Sequence, residues 1–238
     1  QRVDFPPEKV YFHGNNKSRE ELEMALDYGI GRVVLDNFHE ISLLGELASR
    51  RGVVQDVLIR VSPGVDPHTH VYTTTGVLDS KFGFPIETGQ AREAVEKATA
   101  EESLRVVGLH FHLGSPIFEL EPFSQALEIA LDFAAQVKVP LGEISIGGGF
   151  AIAYTRDQRP PSVGEYAQAI TSALVSRCRV LGLGRPLLVI EPGRAIVGPA
   201  GVALYRVGAS KNIPGVRKYV AVDGGMGGLF TFQAVEEF

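Results

Sequence analysis

The chain has 238 residues, 45% of them hydrophobic, and a formal net charge of -5 with no basic run longer than a few residues. That length and apolar content suffice for one large core, and the charge pattern argues against nucleic acid or an anionic membrane as a partner. No apolar run approaches the roughly 20 residues a bilayer span needs, and one cysteine, Cys178, excludes an internal disulfide framework or a multi-cysteine metal site. A reducing, cytoplasmic location is expected. Gln1-Arg2-Val3-Asp4 is neither a signal nor a transit peptide, and the chain is expected to start inside something longer.

Short apolar or β-branched runs alternate with amphipathic stretches. Residues 10–13, 32–36, 57–61, 106–112, 143–146 and 187–190 predict strands; 18–28, 38–51, 87–98, 121–137 and 163–181 predict helices. Six strands in strand-and-helix order imply a parallel sheet buried by its crossover helices. Polar residues gather just after each strand: Asn15-Asn16, Asp36-Asn37, Ser62, His112, Gly147 to Gly149 and Glu191. Ligands sit at that edge in barrels and in open α/β sheets alike. The sheet is either open and doubly wound or a barrel without two βα units, and the abrupt start favours the second. After Arg194 the texture changes to strand-like runs at 202–208 and 219–222 separated by Gly and Pro, as at the entry to a β-rich second domain. The expected division is 1–197 and 198–238. Thr69 to Gly83 is one long connection without clear periodicity.

Three strand ends carry the chemistry. Gly147-Gly148-Gly149 directly follows a strand, and residues without Cβ let backbone N–H groups approach an anion, although a tight turn or bulge explains them equally well. His110 and His112 share one face of their strand, and with His68 and His70 they raise the possibility of zinc. No carboxylate joins them at ligand spacing, so no metal site is expected; the alternative places His112 against an aromatic ring and His110 one layer deeper as a hydrogen-bonded core residue. Glu191-Pro192-Gly193-Arg194 ends the last apolar run and aims a carboxylate and a guanidinium off one strand end. A carboxylate there needs a partner. A protonated pyridine nitrogen would serve, and so would a structural ion pair with Arg194.

These residues resemble the fold-III pyridoxal phosphate-dependent decarboxylases, of alanine racemase-like barrel, from about Phe5 to Gly228. Further motifs carry the resemblance: His13-Gly14-Asn15-Asn16-Lys17-Ser18, Pro63-Gly64-Val65, His68-Thr69-His70, Thr75-Gly76, Lys81-Phe82-Gly83 and Val222-Asp223-Gly224-Gly225-Met226. The His-Thr-His and Lys-Phe-Gly elements favour the diaminopimelate decarboxylase branch over decarboxylases of ornithine, arginine or carboxynorspermidine. The resemblance implies a TIM-type (β/α)8 barrel, here apparently lacking its first βα units, plus the first strands of a β-rich domain. It also implies pyridoxal 5'-phosphate as cofactor, an amino-acid substrate and a homodimer. His112 would stack on the pyridine ring, Ser115 and Gly147, Gly148 and Gly149 would serve the phosphate, Glu191 would hold the ring nitrogen, and Pro192 and Gly193 would also contact the cofactor. Arg194 would reach the phosphate side and a substrate carboxylate. The family's Schiff-base lysine has no match here: Lys17 and Lys81 belong to other motifs, while Lys97 and Lys138 fall on helices. The isolated chain is therefore expected to be inactive, and a catalytically silent homologue is the rival reading. The ending, 229–238, departs from the family pattern.

Overall fold

The structure is a computed structural model describing residues 4–66 and 80–224. His68, His70, Thr75-Gly76, Gly225-Met226 and the ending 229–238 lie outside the described residues. The first described element is a 3-10 turn at Pro7–Lys9 that leads into β1 (Tyr11–Phe12). Strands and helices then alternate: α1 (Arg19–Tyr28), β2 (Arg32–Leu35), α2 (Phe38–Arg51), β3 (Gln55–Ser62), β4 (Phe84–Pro85), α3 (Gln90–Ala100), β5 (Leu104–His110), α4 (Glu121–Val137), β6 (Glu143–Ser145), α5 (Val163–Leu181) and β7 (Leu187–Val189). The sheet runs β1-β2-β3-β5-β6-β7 with every pair parallel, and short β4 pairs beside the end of β3.

Local chemistry sets the helix limits. Ser18 and Ser162 each accept a hydrogen bond from the N3 amide while the N3 glutamate bonds back, which closes capping boxes on α1 and α5; Asn37 caps α2 from its side chain. α3 starts at Gln90 rather than at the expected 87, because Gly89 is in the left-handed region at φ 83° and cannot belong to the helix. In α4 the buried residues Phe123, Ala126, Leu127, Ala130, Leu131 and Ala134 recur at helical spacing, so one stripe faces the core. β3 is buried along nearly its whole length, as expected for a strand covered on both faces.

The sheet curls into a half barrel. Glu143, the first residue of β6, accepts hydrogen bonds from the Tyr11 hydroxyl at 2.7 Å and from Arg32 Nη2 at 2.6 Å, although Tyr11 and Arg32 stand on the opposite side of the sheet. At the other end of the strands, His13 after β1 lies 3.5 Å from Glu191 after β7. The expected barrel-type architecture, with parallel strands inside and crossover helices outside, is observed.

Beyond β7 come a short helix α6 (Arg194–Val197), a 3-10 turn at Gly198–Ala200, and an antiparallel hairpin of β8 (Val207–Ile213) and β9 (Arg217–Val222). The first of these strands begins later than the expected 202. The turn at Pro214-Gly215, with Gly215 at φ 75° and Val216 donating to the Ile213 carbonyl, fixes the register, so pairing counts back from it through polar residues. Val207, Tyr219, Val220 and Val222 are exposed. Cys178 is buried in α5 as expected, and among the described residues no helix is long and apolar enough to cross a membrane.

Candidate active site

At the C-terminal edge of the sheet a cavity of about 510 Å³ is lined by His13, Arg60, His110, His112, Ser115, Gly148, Gly149, Glu191, Gly193 and Arg194. They come from β1, β3, β5, β6 and β7 or the segments just after them, so the parallel order gathers them. Curling completes the set by carrying the end of β1 toward that of β7. Two expected residues stand outside the lining. Gly147 is not part of it, and Pro192 lines a separate, mostly apolar cavity beside Tyr166 and Ile196.

Glu191 is the centre. Ser145, fully buried at the end of β6, donates its hydroxyl to Glu191 Oε1 at 2.6 Å. The same oxygen is 3.2 Å from His110 Nε2 and 3.5 Å from His13 Nε2, while Oε2 has no partner among the described residues. Burial alone would raise the Glu191 pKa; the contacts with His110 and His13 and the Ser145 bond outweigh it and hold the carboxyl at about 2. Burial acts the other way on the imidazoles. It pulls His13 down to about 4 against the Glu191 charge, takes His112 to about 4 with help from His110, and lowers His110 too. At neutral pH the site therefore presents one carboxylate among neutral rings.

His110 is buried as expected, but the hydrogen-bonded core role is not what it has. Neither ring nitrogen has a hydrogen-bond partner among the described residues; the Nε2 approach to Glu191 is close without the direction of a bond. The proposed Glu191 to Arg194 ion pair is also absent among the described residues. Arg194 lies over the Tyr154 ring at 5.8 Å instead and lines the cavity. Arg60 is held by Asp36 Oδ1 at 3.2 Å and covered by the Phe82 ring at 4.4 Å.

The triple glycine has a packing reason as well. A Cβ on Gly148 would collide with the Glu191 carbonyl and one on Gly149, at φ 92°, with that of Gly114, so the three loops close only around glycine. Gly148 N–H donates to His112 Nδ1 at 3.2 Å, which orients that ring, and Gly147 N–H turns back to Ser145 at 3.4 Å. His112, Ser115, Gly148, Gly149, Glu191, Gly193 and Arg194 thus meet in one cavity. His13, Arg60 and Ser145 had been given no role there. Their signal was present only as a histidine and a serine at strand ends and an arginine inside the apolar run Leu58-Ile59-Arg60-Val61.

The sequence matches the family model of the pyridoxal-dependent decarboxylases, pyridoxal binding domain, over residues 1–198. The chain belongs to the pyridoxal-dependent decarboxylase family. Among its relatives, diaminopimelate decarboxylase of Bacillus subtilis (strain 168) is 47% identical over 226 residues, covering 93% of this chain and 52% of the relative. The enzyme of the same name from Bacillus methanolicus is 43% identical with the same coverage. Of solved structures, diaminopimelate decarboxylase from M. jannaschii is 33% identical with a TM-score of 0.81, covering 93% of this chain and 51% of that one. That from Helicobacter pylori complexed with L-lysine is 29% identical with a TM-score of 0.79, covering 92% and 53%. The chain spans about half the length of the curated relatives it matches.

A pyridoxal group fits the residues of this pyridoxal-dependent decarboxylase chain on two observations. Glu191 keeps a charged Oε2 without a partner among the described residues, suited to a ring N–H. The cavity then offers Ser115, the glycine turn and Arg194 to an anion.

Proposed function

We propose that this chain is the cofactor-binding barrel portion of a diaminopimelate decarboxylase, which converts meso-2,6-diaminopimelate to L-lysine and carbon dioxide in lysine biosynthesis. The observation that carries the reading is Glu191, a carboxylate kept charged at about pKa 2 with one oxygen left for a partner. The similar proteins named diaminopimelate decarboxylase, at 47% and 43% identity, supply the substrate.

Pyridoxal phosphate, when bound, accepts the electron pair left when the substrate's carboxylate departs as carbon dioxide. In this proposal Glu191 Oε2 holds the proton on the ring nitrogen, and Ser145 fixes the carboxylate's direction. His112, oriented by Gly148, covers the ring face. Ser115, Gly148 and Gly149 bind the phosphate, with Gly147, Pro192 and Gly193 holding the backbone of the two turns. Arg194 reaches the phosphate and a substrate carboxylate, for which a planar guanidinium is suited.

The proposed division is a barrel at 1–197 and the start of a β-rich domain at 198–238. The family match ends at 198, and among the described residues β8 and β9 pair only with each other. A cytoplasmic homodimer completes the proposal.

The test is Glu191→Gln in the full-length protein. Lysine formation is expected to fall at least ~100-fold, with altered visible absorbance of bound pyridoxal phosphate. An unchanged rate and spectrum would remove Glu191 from the site. Substrate profiling separates the alternatives: ornithine, arginine or carboxynorspermidine consumed faster than diaminopimelate places the protein in a sister branch, and no turnover of any makes it a silent homologue.

A further inference from the structure

His13, His110 and Glu191 converge from three strand ends at the floor of the cavity, with their ligating atoms all within 4.8 Å of one another. Donors that each stand about 2.1 Å from a tetrahedral ion are separated by about 3.4 Å. The observed separations from Glu191 Oε1, 3.2 Å to His110 and 3.5 Å to His13, bracket that value. Two imidazoles and a carboxylate are a donor set of the zinc type, and three protein ligands leave a fourth position for water.

A second, independent observation comes from His110. It is 1% exposed, and neither of its ring nitrogens has a hydrogen-bond partner among the described residues. A buried polar atom left unpaired is destabilising, and an ion held between His110 and Glu191 would give Nε2 a partner. Two further features match a metal centre. The Ser145 hydroxyl already bonds to Glu191 Oε1, as outer residues bond to ligating carboxylates, and the cavity opens to solvent as an entry path.

We propose that His13, His110 and Glu191 bind one divalent transition-metal ion of the zinc class, and that they do so when the aromatic cofactor is absent. The exclusion follows from charge: a dication between the imidazoles and Glu191 repels a protonated ring nitrogen approaching the same carboxylate. The exclusion rests on the cofactor reading given above; the metal site does not.

The experiment is a titration of the cofactor-free protein with cobalt(II), followed by visible absorbance and calorimetry. One ion per chain with the absorption of four-coordinate cobalt is expected, and thermal unfolding should shift upward with the ion. Glu191→Gln and His13→Ala should each weaken binding at least ~10-fold. His13 is partly exposed, so its variant decides the matter if a change at buried His110 fails to fold. His39→Ala, on the exposed side of α2, should change nothing. No bound ion, or binding that survives both Glu191→Gln and His13→Ala, overturns the site. Adding pyridoxal phosphate should then release the cobalt. An ion retained beside bound cofactor overturns the exclusion, whereas a cofactor that fails to bind the metal-free protein counts against the cofactor reading and leaves the metal site standing.

Discussion

Two charged clusters occupy opposite ends of the same curled sheet. At the N-terminal ends of the strands, Arg32 bonds Glu143 through Nε and Nη2 and reaches Asp56 at 2.9 Å, Tyr11 fills the other Glu143 oxygen, and Arg105 takes Asp56 from outside. Charges balance, and both Glu143 oxygens are occupied. At the C-terminal ends, among the described residues, Glu191 has an unpartnered oxygen, and the buried side-chain atoms without a hydrogen bond, Asp36 Oδ2 and both His110 ring nitrogens, all lie there. One strand set therefore carries a satisfied cluster and an unsatisfied one. Satisfied buried charge ties distant strands together; unsatisfied buried charge is retained at a cost, which a ligand is suited to offset.

The largest effect should come from breaking the satisfied cluster. Glu143→Ala leaves Arg32 and Tyr11 without their acceptor at the seam between β6 and the β1-β2 side, and removing one member of such a buried pair costs about 3 kcal/mol. Urea unfolding should move to a lower midpoint by that amount while the affinity for pyridoxal phosphate stays unchanged. A loss below about 1 kcal/mol, within the range of surface ion pairs, would mean that the curl does not depend on this contact.

Titration should separate the ends by direction. His13 and His112 have folded pKa values of about 4 against an ordinary 6.5, so between those values the unfolded chain binds more protons and stability falls as the pH is lowered from about 6.5 to about 4. Tyr11 is pushed up to about 12 by burial and by Glu143. Between pH 10 and 12 the folded chain keeps a proton that the unfolded chain has lost, so stability falls as the pH rises. His13→Gln should flatten the acid limb alone and Tyr11→Phe the alkaline limb alone, read from chemical unfolding at each pH. Either variant flattening both limbs would mean that the clusters are not independent.

The sequence made the contrast half visible. Helices α4 and α5 were legible to the residue, because a 3.6-residue apolar stripe and, for α5, the Ser162 cap are local signals. The hairpin start was not, since β8 is almost wholly exposed and takes its register from the Pro214-Gly215 turn. Glu191, His112 and Arg194 were legible as polar residues after apolar strands. His13 gained its role only because curling carries the end of β1 to Glu191, and Arg60 because Asp36 and Phe82, distant in sequence, hold it at the cavity. Contacts made by closure leave no periodicity to read.

Ser145→Ala should give the smallest effect and the finest distinction. The hydroxyl is fully buried, yet its acceptor faces an open cavity where water can replace it, so the loss should be about 1 kcal/mol. With that bond gone, the Glu191 carboxyl should titrate above its present value of about 2, toward 4.5, and pyridoxal phosphate should bind several-fold more weakly with the fold intact. Carbon-13 NMR of labelled glutamate gives the titration, and absorbance gives the affinity. If unfolding instead shifts by several kcal/mol with the cofactor affinity unchanged, Ser145 belongs with Glu143 as a strand tie, and the carboxylate at the ligand edge is as structural as its counterpart at the other end.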